Sequence, residues 1–315
     1  MGIPALCICA ILAIAALLWL PELPSRYTVW IMLAGGVVLG TCQNVRLKYV
    51  GTALLFCAWG LLAAQESVWP MQHLTTRAVQ AEVEITATDG ATQHQGKIRT
   101  VNGRRWWAST GVTLYGNYLP QRACAGQRWA MMLRLRPAHG ELNDGGYDPQ
   151  RSAIARHQTL SGRFTHAELV DGHCSLRSQY LMSLQNRLSD YRWGAVILGL
   201  GMGERLDVPR EIKDLMRETG TLHLMAISGL HITLAASLVW LLARAIQFIF
   251  PSHRVHWQMP LLAGLFFAAF YAWLTGLQPP ALRTVIALAV LAALRIGSRQ
   301  WSPWQVWCCC VAAIL

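Results

Sequence analysis

Charge is what this chain has least of at its two ends. Of its 315 residues only 14% are charged and 54% are hydrophobic, which excludes a protein that is water-soluble throughout. Residues 1–65 carry four charged side chains, Glu22, Arg26, Arg46 and Lys48, and long uncharged runs return after residue 220. No Walker-type phosphate loop is present, so the chain has no motor chemistry of its own. Cys124 and Cys174, the two cysteines outside the apolar runs, lie 50 residues apart with no Cys-x-x-Cys and no His partner at ligand spacing, so they lack a zinc ligand set. There is no Gly-x-Ser-x-Gly element. No basic stretch precedes Cys7 and no small-residue cleavage pattern precedes Pro21, so the first apolar run is expected to be retained rather than removed as a signal peptide.

What is there begins with the apolar runs. A helix needs about 20 apolar residues to cross a hydrocarbon core of about 30 Å, and Met1 to Pro21, Tyr27 to Val45 and Tyr49 to Gln65 each come close. Three spans are expected. The doubly basic loop of Arg46 and Lys48 belongs in the cytoplasm by the positive-inside rule, which puts the N-terminus inside and the segment after the third span outside. The second apolar block agrees: Arg244 and Arg254 flank one connection, Arg295 and Arg299 another, and the Gly276 to Pro280 turn between them is uncharged.

Residues 66–192 lack any run long enough to span. They contain short alternating runs at Ala81 to Thr88, Gln95 to Val101, Thr110 to Tyr118, Gln127 to Arg136 and Leu160 to Val170, about five strands and therefore a small barrel. Asn102-Gly103 is the strongest hairpin signal, because a type I′ turn needs positive φ at both central positions. A two-residue loop sets Arg99 opposite Trp106 and Ile98 opposite Trp107. Lys97, Arg99, Arg104 and Trp106 then share one face, with Ile98 and Trp107 on the core side. Cations with an interleaved ring suit a single-strand binding groove. A solvated edge hairpin, its Lys and Arg blunting aggregation, accounts for the same residues, and the domain is only modestly basic. Cys124 and Cys174 are the two cysteines of this segment, and in an oxidising compartment they are expected to pair.

Ala195 to Gly203 is apolar but too short to span, and Gly199, Gly201 and Gly203 suit a re-entrant bend held against protein or water. From Asp207 to Gly220 an amphipathic helix is predicted, with Ile212, Leu215, Met216 and Thr219 opposite Arg210, Lys213 and Arg217, suited to the membrane interface. Next comes His223-Leu-Met-Ala-Ile-Ser-Gly-Leu-His231 at the mouth of an apolar run. The uncharged run from Trp257 to Leu282 is broken at Pro279-Pro280 and followed by Arg283. Arg283 and Arg295 are separated by about 18 Å of helix, less than the hydrocarbon core, so at least one guanidinium snorkels or faces a polar cavity.

The segment from His223 to His231 resembles the signature of the ComEC family of bacterial DNA-uptake channels. Tyr271 to Arg283 resembles a second ComEC element, and Gly203-Glu204-Arg205 resembles the family's Gly-Asp-Arg. Asn143-Asp144-Gly145-Gly146-Tyr147-Asp148, with Arg151 and Gly162, resembles the element closing the family's oligonucleotide-binding (OB) domain, with Asp144 and Tyr147 in place of proline and phenylalanine. Asp148 is alternatively the cap of a helix beginning near Pro149.

This resemblance implies an α-helical transmembrane bundle with an inserted small OB-like β-barrel: spans in 1–65, a periplasmic barrel in 66–192, a re-entrant and interfacial segment in 193–221, and the first part of a channel domain in 222–315. It implies an inner-membrane channel importing single-stranded DNA. Lys97, Arg99, Arg104 and Trp106 are then candidate DNA contacts, and His223, Ser228, His231 and Arg283 candidate channel-lining residues. No cofactor, metal or catalytic residue is implied. The family's nuclease, with its His-x-His-x-Asp-His cluster, does not occur in the chain. The chain ends inside a hydrophobic run, as the N-terminal portion of a longer protein or a truncated relative would, with nuclease or motor supplied elsewhere. A non-translocating scaffold is the alternative, and a membrane hydrolase using Ser228 and His231 a lesser one; packing and capping at a helix start explain Ser228 and His231 without chemistry.

Overall fold

The computed structural model describes every residue except 1, 90–91, 107, 109, 116–118, 121–122, 141–147, 205–207, 226, 250–255, 298–300 and 315. Trp107, the element from Asn143 to Tyr147, Arg205, Asp207, Arg254 and Arg299 therefore lie outside the described residues. In chain order the elements are α1 (Ile3–Ala16), α2 (Arg26–Thr41), α3 (Val45–His73), β1 (Val79–Thr88), β2 (Gln93–Val101), β3 (Arg104–Arg105), β4 (Gly111–Tyr115), β5 (Arg128–Pro137), α4 (Pro149–Ala155), β6 (Leu160–Asp171), α5 (Leu176–Leu188), α6 (Gly194–Met202), α7 (Arg210–Glu218), α8 (Gly229–Ile249), α9 (Met259–Leu274), α10 (Pro279–Ile296) and α11 (Pro303–Ile314). They form two compact units. One holds Met1–Leu62, Gly199–Glu204 and Glu211–Leu315, and the other holds Ala63–Leu198 and Arg205–Arg210.

The first unit is helical. Three helices are long and apolar enough to cross a membrane, α3, α8 and α10, and shorter apolar helices accompany them at Ile3–Trp19, Met259–Leu274 and Pro303–Ile314. The three expected N-terminal spans come out unequal. Prolines 21 and 24 stop the first, α2 is only 16 residues, and α3 runs for 29, continuing past Gln65. Ser25 caps α2 by accepting a hydrogen bond from the Thr28 N–H at 3.3 Å. α2 and α3 meet at glycines: a Cβ on Gly51 would lie 2.7 Å from the Gly40 nitrogen and 2.8 Å from the Gly36 carbonyl. Small residues let helices approach closely where no hydrophobic drive separates protein from lipid. The same device recurs among α8, α9 and α10, whose buried contacts are Ala236, Ala268, Ala272 and Ala281 around Ile227 and Ile232.

The second unit is a closed barrel. β1 pairs with both β2 and β5, the order running β1-β5-β6-β4-β2, with β4 and β6 parallel and the other pairs antiparallel. Five strands closed by a Greek-key path are the OB-type barrel, and the two-residue β3 adds only to β2. Period-two alternation builds the core: Val79, Ala81, Val83 and Ile85 of β1 point inward with Trp129, Met131, Leu133 and Leu135 of β5. Burying such side chains contributes about 1.5–3 kcal/mol each. Leu74, with Met71 beside it, plugs the core from the chain that leads into β1. A disulfide joins Cys124, between β4 and β5, to Cys174 beyond β6, with Cα atoms 5.6 Å apart. Asp148 caps α4, its Oδ1 accepting the Arg151 N–H at 3.0 Å.

Candidate functional site

The helical unit gathers three sequence elements that are far apart in the chain. α7 ends at Glu218, and Gly220 just beyond it has a φ of +68° that lets the backbone turn back. The His223 ring then meets the Gly220 carbonyl through Nδ1 at 2.7 Å, and Met225 and Ile227 bury themselves almost completely. These anchors fix Ser228 at the start of α8. The Ser228 N–H donates to His231 Nδ1 at 3.2 Å, so that nitrogen is an acceptor, and the Ser228 hydroxyl donates to it at 3.0 Å. His231 thus reaches back to the helix start as the glutamate of a capping box does.

Against this turn lies the break between α9 and α10. Thr275 is fully buried, and Gly276 and Leu277 both take positive φ, +85° and +51°. Leu277 is bulky for that region, and the Leu277 N–H to Ala272 carbonyl bond of 2.8 Å holds it there. Gln278 donates from Nε2 to the Gly203 carbonyl at 3.3 Å, and Tyr271 donates from its hydroxyl to the Gly201 carbonyl at 3.3 Å. A Cβ on Gly203 would touch Gln278, the Thr275 carbonyl and Ile227 at 3.1 to 3.2 Å. Gly229 packs against the Thr284 hydroxyl, which sets the start of α8 beside that of α10. Arg283 is exposed in the first turns of α10 and makes no ion pair among the described residues. The structure therefore brings Ser228, His231 and the Arg283 turn into one region, with His223 exposed at its edge. Tyr271, Thr275 and Gln278 hold that region together and were not singled out from sequence, since the Gly201 and Gly203 carbonyls reveal Tyr271 and Gln278, and burial reveals Thr275.

As chemistry the region is thin. His231 makes no further hydrogen bond among the described residues, so no third group orients it as a base. No group of His, Cys, Asp or Glu able to hold a metal occurs among the described residues. What the arrangement supplies is irregular backbone, hydroxyls, an imidazole and a guanidinium at the ends of apolar helices, which is tolerated at membrane depth only against protein or a watery path.

The hairpin in the barrel differs in part from expectation. Asn102 and Gly103 take φ of +49° and +74°, and Val101 pairs with Arg104. The Trp106 N–H donates to the Arg99 carbonyl at 2.8 Å, but there the strand leaves the ladder. Ile98 instead donates to the Thr110 carbonyl at 3.0 Å, which corrects its expected partner, and Lys97 pairs with Gly111. Trp106 is also corrected: it is half-buried against the barrel core, stacked on Trp69 at 5.0 Å, with Nε1 donating to the Thr110 hydroxyl at 2.9 Å. The physical reason is the extra length of α3, which carries Trp69 over that end of the barrel. Arg99 is held by Glu84 at 2.6 Å. Lys97 and Arg104 remain exposed.

A multi-span helical protein with an OB-type barrel inserted after its first helices is the class these units define. Residues 200–315 match the family of competence proteins. The chain belongs to the ComEC competence family. It is 53% identical over its whole length to the uncharacterized protein YcaI of Escherichia coli, covering 42% of that protein. It is 32% identical over 59% of its length to Recombination protein 2 of Haemophilus influenzae, covering 24% of it, and 30% identical over 80% of its length to Competence protein ComA of Neisseria gonorrhoeae, covering 38%. The chain thus spans less than half the length of these relatives. No solved structure matches it.

Proposed function

We propose that this chain forms part of an inner-membrane path for single-stranded DNA, with the barrel receiving the strand on the periplasmic side. The observation that carries this reading is the convergence, inside the competence-family segment, of the Gly203 bend, the Ser228–His231 turn and the Arg283 break. Polar groups and broken helices at the ends of apolar segments suit a hydrated path for an anion. Two relatives bear the names Recombination protein 2 and Competence protein ComA.

The test is entry of end-labelled DNA into a cell compartment that added nuclease cannot reach. Cells lacking the gene should accumulate none, and re-expression should restore it. Unchanged accumulation in the deleted strain overturns the reading and favours a membrane scaffold that passes no DNA.

A further inference from the structure

We propose that the β5–β6 face of the barrel carries a phosphate-backbone groove formed by Arg77, Arg134, Arg136 and Arg163; this rests on the reading of the barrel as a receiver of single-stranded DNA and moves the contact surface away from the Asn102–Gly103 hairpin. On β5 the residues alternate, Leu133 and Leu135 buried, Arg134 and Arg136 exposed. Arg134 lies directly opposite Arg163 on β6. Like charges directly opposite each other on neighbouring strands are destabilising, and the guanidinium groups of these four arginines make no ion pair or hydrogen bond among the described residues.

Two other arginines of the sheet are paired with carboxylates. Arg99 is held by Glu84 at 2.6 Å and Arg128 by Asp171 at 3.0 Å. The unpaired arginines line an open groove of 1030 Å³, which Arg77 joins from the segment ahead of β1 and Tyr115 from the end of β4, and whose described lining includes no Asp or Glu. Tyr115 is 44% exposed, an accessible ring in the barrel where Trp106 is not. Arg134 and Arg136 stand about 7 Å apart along the strand, a spacing comparable to successive phosphates of an extended single strand. Four cations and a ring in one groove fit a polymer of phosphates with stacking bases. A single lipid headgroup satisfies fewer of them.

The measurement is binding of a fluorescent oligothymidylate to the whole chain in detergent, as a function of salt. The wild type should bind at low salt. The triple variant R134Q/R136Q/R163Q should flatten the slope of log affinity against log salt by about 2, at roughly 0.7 per lost contact, while the variant R134K/R136K/R163K should largely restore it. Lys97→Gln with Arg104→Gln should leave the slope unchanged. An unchanged melting temperature in the glutamine variant, or a higher one through relief of the arginine repulsion, establishes that the fold is intact. A melting temperature lowered equally in the glutamine and lysine variants, with binding lost in both, assigns these residues to the fold and overturns the groove. Wild-type binding that survives the triple substitution overturns the groove but leaves the DNA reading standing. Absence of wild-type binding overturns both. In that case, flotation with phosphatidylethanolamine vesicles that depends on added phosphatidylglycerol and on the three arginines assigns the face to the membrane instead.

Discussion

His231 sits at the third residue of α8 and accepts the Ser228 N–H through Nδ1, so its imidazole does what glutamate or glutamine does in a capping box. Removing that acceptor leaves a donor at a helix start without its partner, at a cost of about 1 kcal/mol. His231→Ala should therefore lower the stability of the detergent-solubilised protein by that amount, and His231→Gln should recover most of it. Loss in both variants alike would mean that the ring is needed for something glutamine cannot supply. Asp171 gives a second residue-level expectation. The His173 N–H, and after it the Arg128 guanidinium, hold its carboxyl below the ordinary carboxylate range. A depressed folded-state value contributes stability that is present above the ordinary range and lost as pH falls through the lowered one. The barrel's unfolding midpoint should decline over that acidic window in the wild type and decline less in Asp171→Asn.

At the scale of elements, the length of α3 decides how one end of the barrel is covered. Its last turns place Trp69 on Trp106, and His73 also stacks on Trp69, at 4.5 Å. Trp106→Ala should cost about 2 kcal/mol from lost burial and stacking, whereas Lys97→Gln and Arg104→Gln, on exposed positions, should shift stability by less than about 0.5 kcal/mol. A silent Trp106→Ala would show that the stack contributes nothing. The strands were legible in sequence because alternation is local: Val83 and Ile85, or Leu133 and Leu135, declare an inward face within five residues. Asn102-Gly103 was legible for the same reason. The point at which the chain leaves the ladder after Trp106 was not, since it depends on a helix more than thirty residues upstream in the sequence. The motif residues of the helical unit were visible singly, from Gly203 to Arg283, but their meeting rests on Gln278 reaching Gly203 and on Gly229 admitting Thr284, contacts no local pattern announces.

At the scale of the whole molecule, sidedness follows from where the cations lie. Arg46 and Lys48 fall in the first turns of α3, and Arg295 in the last turn of α10. Under the proposed reading the positive-inside rule places these two cationic ends in the cytoplasm and the barrel outside. A periplasmic reporter fused after Thr113 should be active and one fused after Tyr49 silent. The reverse pattern would place the barrel, and any strand it receives, on the wrong side for uptake.

The Cys124–Cys174 bond spans β5, α4 and β6. Any single peptide bond cut between the two cysteines leaves the two parts of the chain covalently joined, so a nicked protein keeps its electrophoretic mobility until reductant is added. One cleavage anywhere within that fifty-residue stretch therefore leaves the closing strands covalently tied to the rest of the barrel.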